Sequence, residues 1–301
     1  MTTNPNTAKY TAEAATVILT REQADRLQIY LLQRSTTSGF MAGNYVFPGG
    51  TLEPEDRDIN LFAIHSDLDL TTIADRFGDD LTAEKALAFC VAAIRETLEE
   101  AGVLLASNAQ NLDEKLVQAC DLRLTASLKK NWFAELVADS GWRLALTALS
   151  PWSHWITPVQ MKRRYDTRFF LADMPTDQCC QPDSRETVQG LWIGPEEALA
   201  GNLAGTISLS PPTLVTLHEF LRYRNLADLR ADSDHRSWGP PMSPRLVPLA
   251  EGAVIVEPWD PQYRSEEICI DPGQLATAIL PVGEPFSRIW YDGRLWRPVA
   301  L

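Results

Sequence analysis

The sequence predicts an α/β protein, and three patterns carry that expectation. Short runs rich in β-branched and aromatic residues, AATVILT (14–20), QIYLLQR (28–34) and NYVFPGG (44–50), have the length and flanking turn residues of strands. A long helix follows: Ala86, Leu87, Phe89, Cys90, Val91, Ile94 and Leu98 form a wide apolar stripe between a capping Thr82 and a terminating Gly102. Strand signals then return from residue 142.

Taken in order, about ten polar residues precede the first run, and the polar REQADRL between the first two runs makes them a hairpin or neighbouring strands. Pro48-Gly49-Gly50 forces the chain out of the sheet. Residues 57–82 lie in an aspartate-rich stretch with scattered apolar residues, the pattern of an acidic insertion with one or two short helices. A second helical region covers about 111–139, with EKLVQACDLRL and KKNWFAELVAD. WRLALTALSPWSHWITP, TRFFLADMP and ETVQGLWIGP each end in proline or turn residues, as strands do. PEEALAG is a short helix, and the helix over 211–229 starts at a proline. Residues 231–248 have the composition of a linker, leading into a β-rich end in which Asp292-Gly293 marks a hairpin. The expected organisation is therefore a main domain over 10–230 and a linker with a small β-rich extension over 231–301.

At 301 residues the chain has room for one large domain with insertions or for two, and 45% hydrophobic against 22% charged residues is the composition of a protein with a real core. A net charge of −13 argues against non-specific binding to nucleic acid or membranes. An anionic substrate must be received locally, by metal ions or a few arginines. Five cysteines, odd in number and without C-x-x-C spacing, suggest neither a zinc site nor a disulfide framework, which fits a reducing cytoplasm. The first twenty residues lack the pattern of a signal peptide, and no run approaches the roughly 20 apolar residues of a membrane span.

Glu96, Glu99 and Glu100 stand at i, i+3 and i+4, so a helix presents them on one face. Unpaired, they repel; a hard divalent cation with oxygen ligands would neutralise them, and Arg95 can hold a carboxylate through its fork. The competing reading is a solvated acidic face near a helix end.

With Gly50 and the following TLEPED, the RETLEEAGV stretch resembles the box of the Nudix family, G-x5-E-x7-R-E-U-x-E-E-x-G-U with U aliphatic. Gly50, Arg95, Glu96, Glu99, Glu100, Gly102 and Val103 match. Asp56 stands where the pattern has glutamate, Thr97 replaces an aliphatic residue, and residues 57–94 supply 38 positions where the pattern has seven. Loop closure entropy grows slowly with length, so one box split by an insertion is physically acceptable. The split leaves open whether Asp56 keeps its place or Glu53 substitutes for it. LLQRSTTSGFMAGNYVFPGG is similar to the signature of Nudix coenzyme A diphosphatases, with Arg34, Ser35, Gly43, Phe47, Pro48, Gly49 and Gly50 in register and Gly39 where that signature has a second arginine. PWSHWITPVQMKRRYDTRFFLA and SRETVQGLWIGPEEAL resemble the peroxisomal-type branch of those enzymes, which also carries a long insertion in the box.

The resemblance implies an α/β/α sandwich around a mixed sheet and a metal-dependent hydrolase with Mg²⁺ or Mn²⁺ held by Glu96, Glu99 and Glu100 and by a backbone carbonyl at Gly49 or Gly50. It implies Glu99 or Glu100 as base, with Glu186 second, and Arg95 as their organiser. Arg34, Ser35 and Phe47 are the substrate-binding expectations from the signature. Arg164 and Arg168 are expected either on a substrate phosphate or paired with the acidic insertion. The implied substrate is a small nucleotide derivative, coenzyme A or an acyl-coenzyme A. Alternatives are ADP-ribose, a dinucleotide, a nucleotide sugar or capped RNA, and, in another class, a non-catalytic nucleotide-binding module. No nucleic-acid or membrane partner is expected, and the apolar Trp290, Trp296 and Val299 call for cover by the main domain or by a second subunit of a homodimer.

Overall fold

The computed structural model describes residues 11–37, 41–106, 114–125 and 128–300. Strands β1 (Thr11–Gln23) and β2 (Arg26–Arg34) form the expected hairpin. Ala24 and Asp25 both take positive φ, 51° and 57°, the backbone of a two-residue turn that matches strand twist. Beyond β3 (Tyr45–Val46) and β4 (Gly49–Thr51), the sheet continues with β5 (Ser150–Ile156), β6 (Arg164–Asp173) and β7 (Thr187–Ile193). The order is β3-β2-β1-β6-β5, with β4 on β1 and β7 on β2. β1 and β6 are parallel and the other pairs antiparallel, so the sheet is mixed as expected.

Both faces of the sheet are buried, which is why AATVILT and IYLLQ carry apolar residues at successive positions instead of alternating ones. Ala15, Val17 and Leu19 of β1, with Phe170 of β6, face the long helix α3 (Ala83–Ala101). Ile18, Ile29, Leu31 and Phe169 face the opposite layer. That layer contains α6 (Pro195–Ala204) and α7 (Pro211–Phe220). Helices therefore cover both faces.

The insertion is a folded appendage of the α3 side. Its helices α1 (Ile59–Phe62) and α2 (Leu70–Phe77) bury Phe62, Ile73 and Phe77. The aspartates that make it look acidic have specific positions: Asp58 and Asp69 cap these helices, and Asp67 accepts from the Leu146 and Thr147 amides. The 111–139 region contains α4 (Glu114–Arg123) and α5 (Trp132–Ser140). The helix expected over 211–229 is two, because Asn225 caps a new helix, α8 (Leu226–Ser233).

The segment with linker composition is a packed strap. Trp238, 4% exposed, sits against Phe77 and Phe170 and donates its indole N–H to the Phe169 carbonyl at 3.1 Å. The Arg236 guanidinium lies 3.6 Å from the Trp152 ring centroid. Met242 then bonds to β5 on both sides, its N–H to His154 O at 2.7 Å and its carbonyl to Ile156 N at 2.8 Å. Proline, serine and glycine give this stretch no period, but its tryptophan is anchored as firmly as a core residue. The final four strands, β8 (Arg245–Pro248), β9 (Ala253–Val256), β10 (Arg288–Tyr291) and β11 (Trp296–Val299), form an antiparallel sheet in the order β11-β10-β9-β8. One face has its own small core of Val254, Val256, Leu275 and Val299. Ile255 and Ile289 join the core of the main sheet, so the extension is docked on this chain's own main domain.

Glu257, just after β9, is fully buried and neither carboxylate oxygen has a hydrogen-bond partner. Burial pushes its pKa from an ordinary value near 4.5 up to about 8. The folded state thus keeps a proton that the unfolded chain releases, and the associated stability is present at low pH and lost as pH rises from about 4.5 toward 8. Glu257→Gln is expected to remove that loss, gaining roughly 2–4 kcal/mol over the parent at pH 8.5 and little at pH 5. Denaturant titrations at the two pH values measure the difference.

Candidate active site

The end of α3 carries Arg95, Glu96, Glu99 and Glu100, and Gly102 in the left-handed region at φ 70° stops the helix. Arg95 is 3% exposed and organises the group. Its Nε and Nη2 bond both oxygens of Asp56, at 2.8 and 2.9 Å, and Nη2 also reaches the Thr51 carbonyl at 2.9 Å. Nη1 bonds Glu96 Oε1 at 2.8 Å and Glu99 Oε2 at 3.1 Å. The insertion has therefore not displaced Asp56, which is buried and also accepts the Glu53 N–H at 2.8 Å. Glu53 faces the cavity instead, with its pKa raised by burial.

Glu100, 5% exposed, accepts the Gly49 N–H at 2.9 Å. Burial first, and the neighbouring Glu96 second, hold its pKa well above the usual carboxylate value. Burial likewise pushes Glu96 up to about 8, although Arg95 opposes the shift. Gly50 belongs to this arrangement by its lack of a side chain: a Cβ there would lie 2.4 Å from Glu96 Oε1. These carboxylates carry more negative charge than Arg95 compensates, and hard oxygen donors in such surplus fit a divalent cation. Among the described residues no three acidic, histidine or cysteine side chains converge into a ready-made metal cage. With Arg95 Nη1 between Glu96 and Glu99, the set suits an ion that takes one or two carboxylates and completes its shell with water and phosphate.

Trp132 of α5 is a contributor that sequence reasoning missed. Its indole N–H donates to Glu99 Oε1 at 2.8 Å, fixing the carboxylate that Arg95 holds from the other side. In the sequence it is one apolar residue of a helical stripe, with nothing to link it to a glutamate 33 positions away. Trp132→Phe keeps the packing and removes the donor; kcat is expected to fall about tenfold with a stability loss near 1 kcal/mol, by steady-state kinetics and denaturant titration.

A cavity of about 680 Å³ opens in front of the box, within the usual range for small-molecule sites. Arg34 and Phe47 line it, as does Glu186 at the start of β7; Phe47 packs edge-on to Phe169. Ser35 is not in the lining: its N–H bonds the Glu186 carbonyl at 2.8 Å and its hydroxyl pairs with Thr37, which does face the cavity. Arg168 takes the second of the two places expected of it, against the acidic insertion and not on a substrate phosphate. It is 2% exposed, pairs with Asp80 of the insertion at 2.7 Å and lies over the Trp238 ring, away from the cavity. Arg164 is a correction, found in neither expected place, since its Nε donates to the Thr157 carbonyl while Arg163 and Tyr165 reach the cavity instead. The reason is the period of the strand: Tyr165, Thr167 and Phe169 face the cavity, and the alternate residues face away. Of the neighbouring aromatics, Trp155 lines the cavity and Trp152 is core; His154 is buried and hydrogen-bonded to Asp166 at 2.6 Å. Gly39, the position of the missing second arginine, lies outside the described residues.

The profile of the NUDT19 Nudix domain matches residues 10–220 of this chain. The chain belongs to the NUDT19 Nudix family. Among its curated relatives, "Acyl-coenzyme A diphosphatase NUDT19" of Gallus gallus is 30% identical over 310 residues, 87% of this chain and 81% of the relative. The Homo sapiens protein of the same name is 29% identical over 308 residues, 88% and 81% of the two chains. A solved Nudix hydrolase from Alicyclobacillus acidocaldarius superimposes with a TM-score of 0.59 at 23% identity, over 78% of this chain and all (100%) of that one, which establishes the Nudix fold. The chain is thus a Nudix hydrolase, of a class that generally uses a divalent metal. The Nudix profile ends before α8, so the strap and C-terminal sheet lie beyond it. No helix among the described residues is long and apolar enough to cross a membrane.

Proposed function

We propose that this Nudix hydrolase cleaves the diphosphate of coenzyme A or an acyl-coenzyme A, giving 3′,5′-ADP and 4′-phosphopantetheine or its acyl form. The observation that carries the reading is one cavity in which the box carboxylates, Arg34 and Glu186 share a wall with an extended apolar surface. The names of the curated relatives point the same way.

Glu96, Glu99 and Glu100 are the residues that would hold Mg²⁺ or Mn²⁺, with Gly50 giving Glu96 room. When bound, the ion would neutralise phosphate charge and lower the pKa of the attacking water. Arg95 keeps the carboxylates oriented from behind, since its donors are taken up by Asp56, Thr51, Glu96 and Glu99. In this reading Glu100, held by the Gly49 amide, or Glu99 accepts the water proton, with Glu186, whose main chain is anchored to Asp183 and Ser35, as the second choice. Arg34 faces the cavity from the end of β2, which supports its role in this reading as the partner of a substrate phosphate. Mass spectrometry of products from coenzyme A, acetyl-coenzyme A, ADP-ribose, NADH and diadenosine polyphosphates tests the reading. Formation of 3′,5′-ADP, lost in Glu99→Gln, is expected; cleavage of ADP-ribose alone would overturn the substrate and keep the chemistry.

A further inference from the structure

The cavity is polar at one end and apolar at the other, and the sheet register measures the distance between them. Thr51 of β4 pairs with Ala14 of β1, Ala14 with Thr167 of β6, and Thr167 with Trp155 of β5. All four line the cavity, so this single cross-strand row is its floor. Three strand spacings make the floor roughly 14 Å long. The Thr51 end adjoins the box glutamates, whose carboxylates gather beside Gly49 and Gly50. Past Trp155 the strap adds one more extended segment through Met242, and Leu246 of β8, Ile255 of β9 and Trp296 of β11 complete the lining. Arg163, in the turn between β5 and β6, stays exposed at the rim.

We propose that Leu246, Ile255 and Trp296, with Trp155, form a specificity wall for the acyl chain of an acyl-coenzyme A, so that the C-terminal sheet sets which thioesters this enzyme prefers. The assignment rests on the proposed diphosphatase reading, which puts the scissile diphosphate at the box. From that point the pantetheine arm is about four peptide units long to its sulfur, roughly 14 Å when extended. That is the length of the floor, and it delivers the thioester to the wall. The charged end, with Arg34 and Arg185 beside Glu186, is left to the phosphorylated nucleotide. An acyl chain gains by leaving water where the lining is indole and aliphatic, and free coenzyme A presents no such group there.

The test is the ratio of kcat/KM for dodecanoyl-coenzyme A to that for free coenzyme A, which is independent of how much of a preparation is folded. Leu246→Glu and Trp296→Ala are each expected to lower this ratio at least tenfold, and Leu246→Met to restore it to within about twofold of the parent. A ratio unchanged in both variants, or a parent enzyme that cleaves free coenzyme A and no acyl form, would overturn the wall while leaving the diphosphatase reading intact. A parent that cleaves neither removes the reading and the wall with it.

Discussion

Replacing Glu100 by glutamine is expected to lower turnover by at least a thousandfold and at the same time to raise the melting temperature of the metal-free protein at pH 8. Both effects have one cause. The Glu100 carboxylate is buried beside Glu96, and its raised pKa reports a negative charge that the fold does not compensate by itself. In the metal-free state, stability tied to such a group is complete at low pH and drains away as pH rises through the folded-state value. Glutamine keeps the acceptor for the Gly49 amide and removes the charge, so the protein becomes steadier and the site loses a carboxylate that the proposed metal binding would use. Thermal melts with and without Mg²⁺ separate the terms: the ion should raise the melting temperature of the parent and have a much smaller effect on the variant. A variant that melts lower than the parent without metal would show that Glu100 is held by interactions other than those described.

Arg95→Met is expected to cost about 3–5 kcal/mol, because it leaves Asp56 buried without its partner. Arg95 and Asp56 are 3% and 2% exposed at their side chains, so solvent cannot replace the lost pair. Activity should fall with it, since Glu96 and Glu99 lose their shared donor. The double variant Asp56→Leu with Arg95→Met is expected to recover most of the stability and none of the activity. Urea titrations of the single and double variants measure the first part, and product assays the second. Equal losses in the single and double variants would mean that packing around the guanidinium, and not the stranded carboxylate, sets the cost.

The sequence made the sheet legible because strands buried on both faces are continuous apolar runs, and it made the box legible because Gly50, Arg95, the three glutamates and Gly102 together stand in the pattern of the Nudix box, where the glutamates alone would also suit a solvated face. The role of Asp56 was open, since an insertion of unknown shape followed it; the structure settles the matter by starting that insertion with a short 3-10 turn over 54–57 that holds Asp56 against Arg95. Arg164 was misread, and the two places of Arg168 stayed open, for want of strand register, which decides which face a residue takes and is not written in composition. The places of Trp132, Leu246, Ile255 and Trp296 at the site were not legible for a different reason. Each is an apolar residue whose significance comes from a partner far along the chain, and apolar residues look alike until the fold brings the partner near.

The strap has a consequence for how the protein is made. Phe77 and Phe170 are both synthesised well before Trp238, the residue that covers them, and the box is complete in sequence by residue 103. A growing chain therefore carries its whole catalytic motif while an aromatic patch on the insertion and the sheet still faces solvent. Vectorial folding from the N-terminus leaves that patch open until the strap has left the ribosome, an interval in which the nascent chain is exposed to self-association and to capture by chaperones.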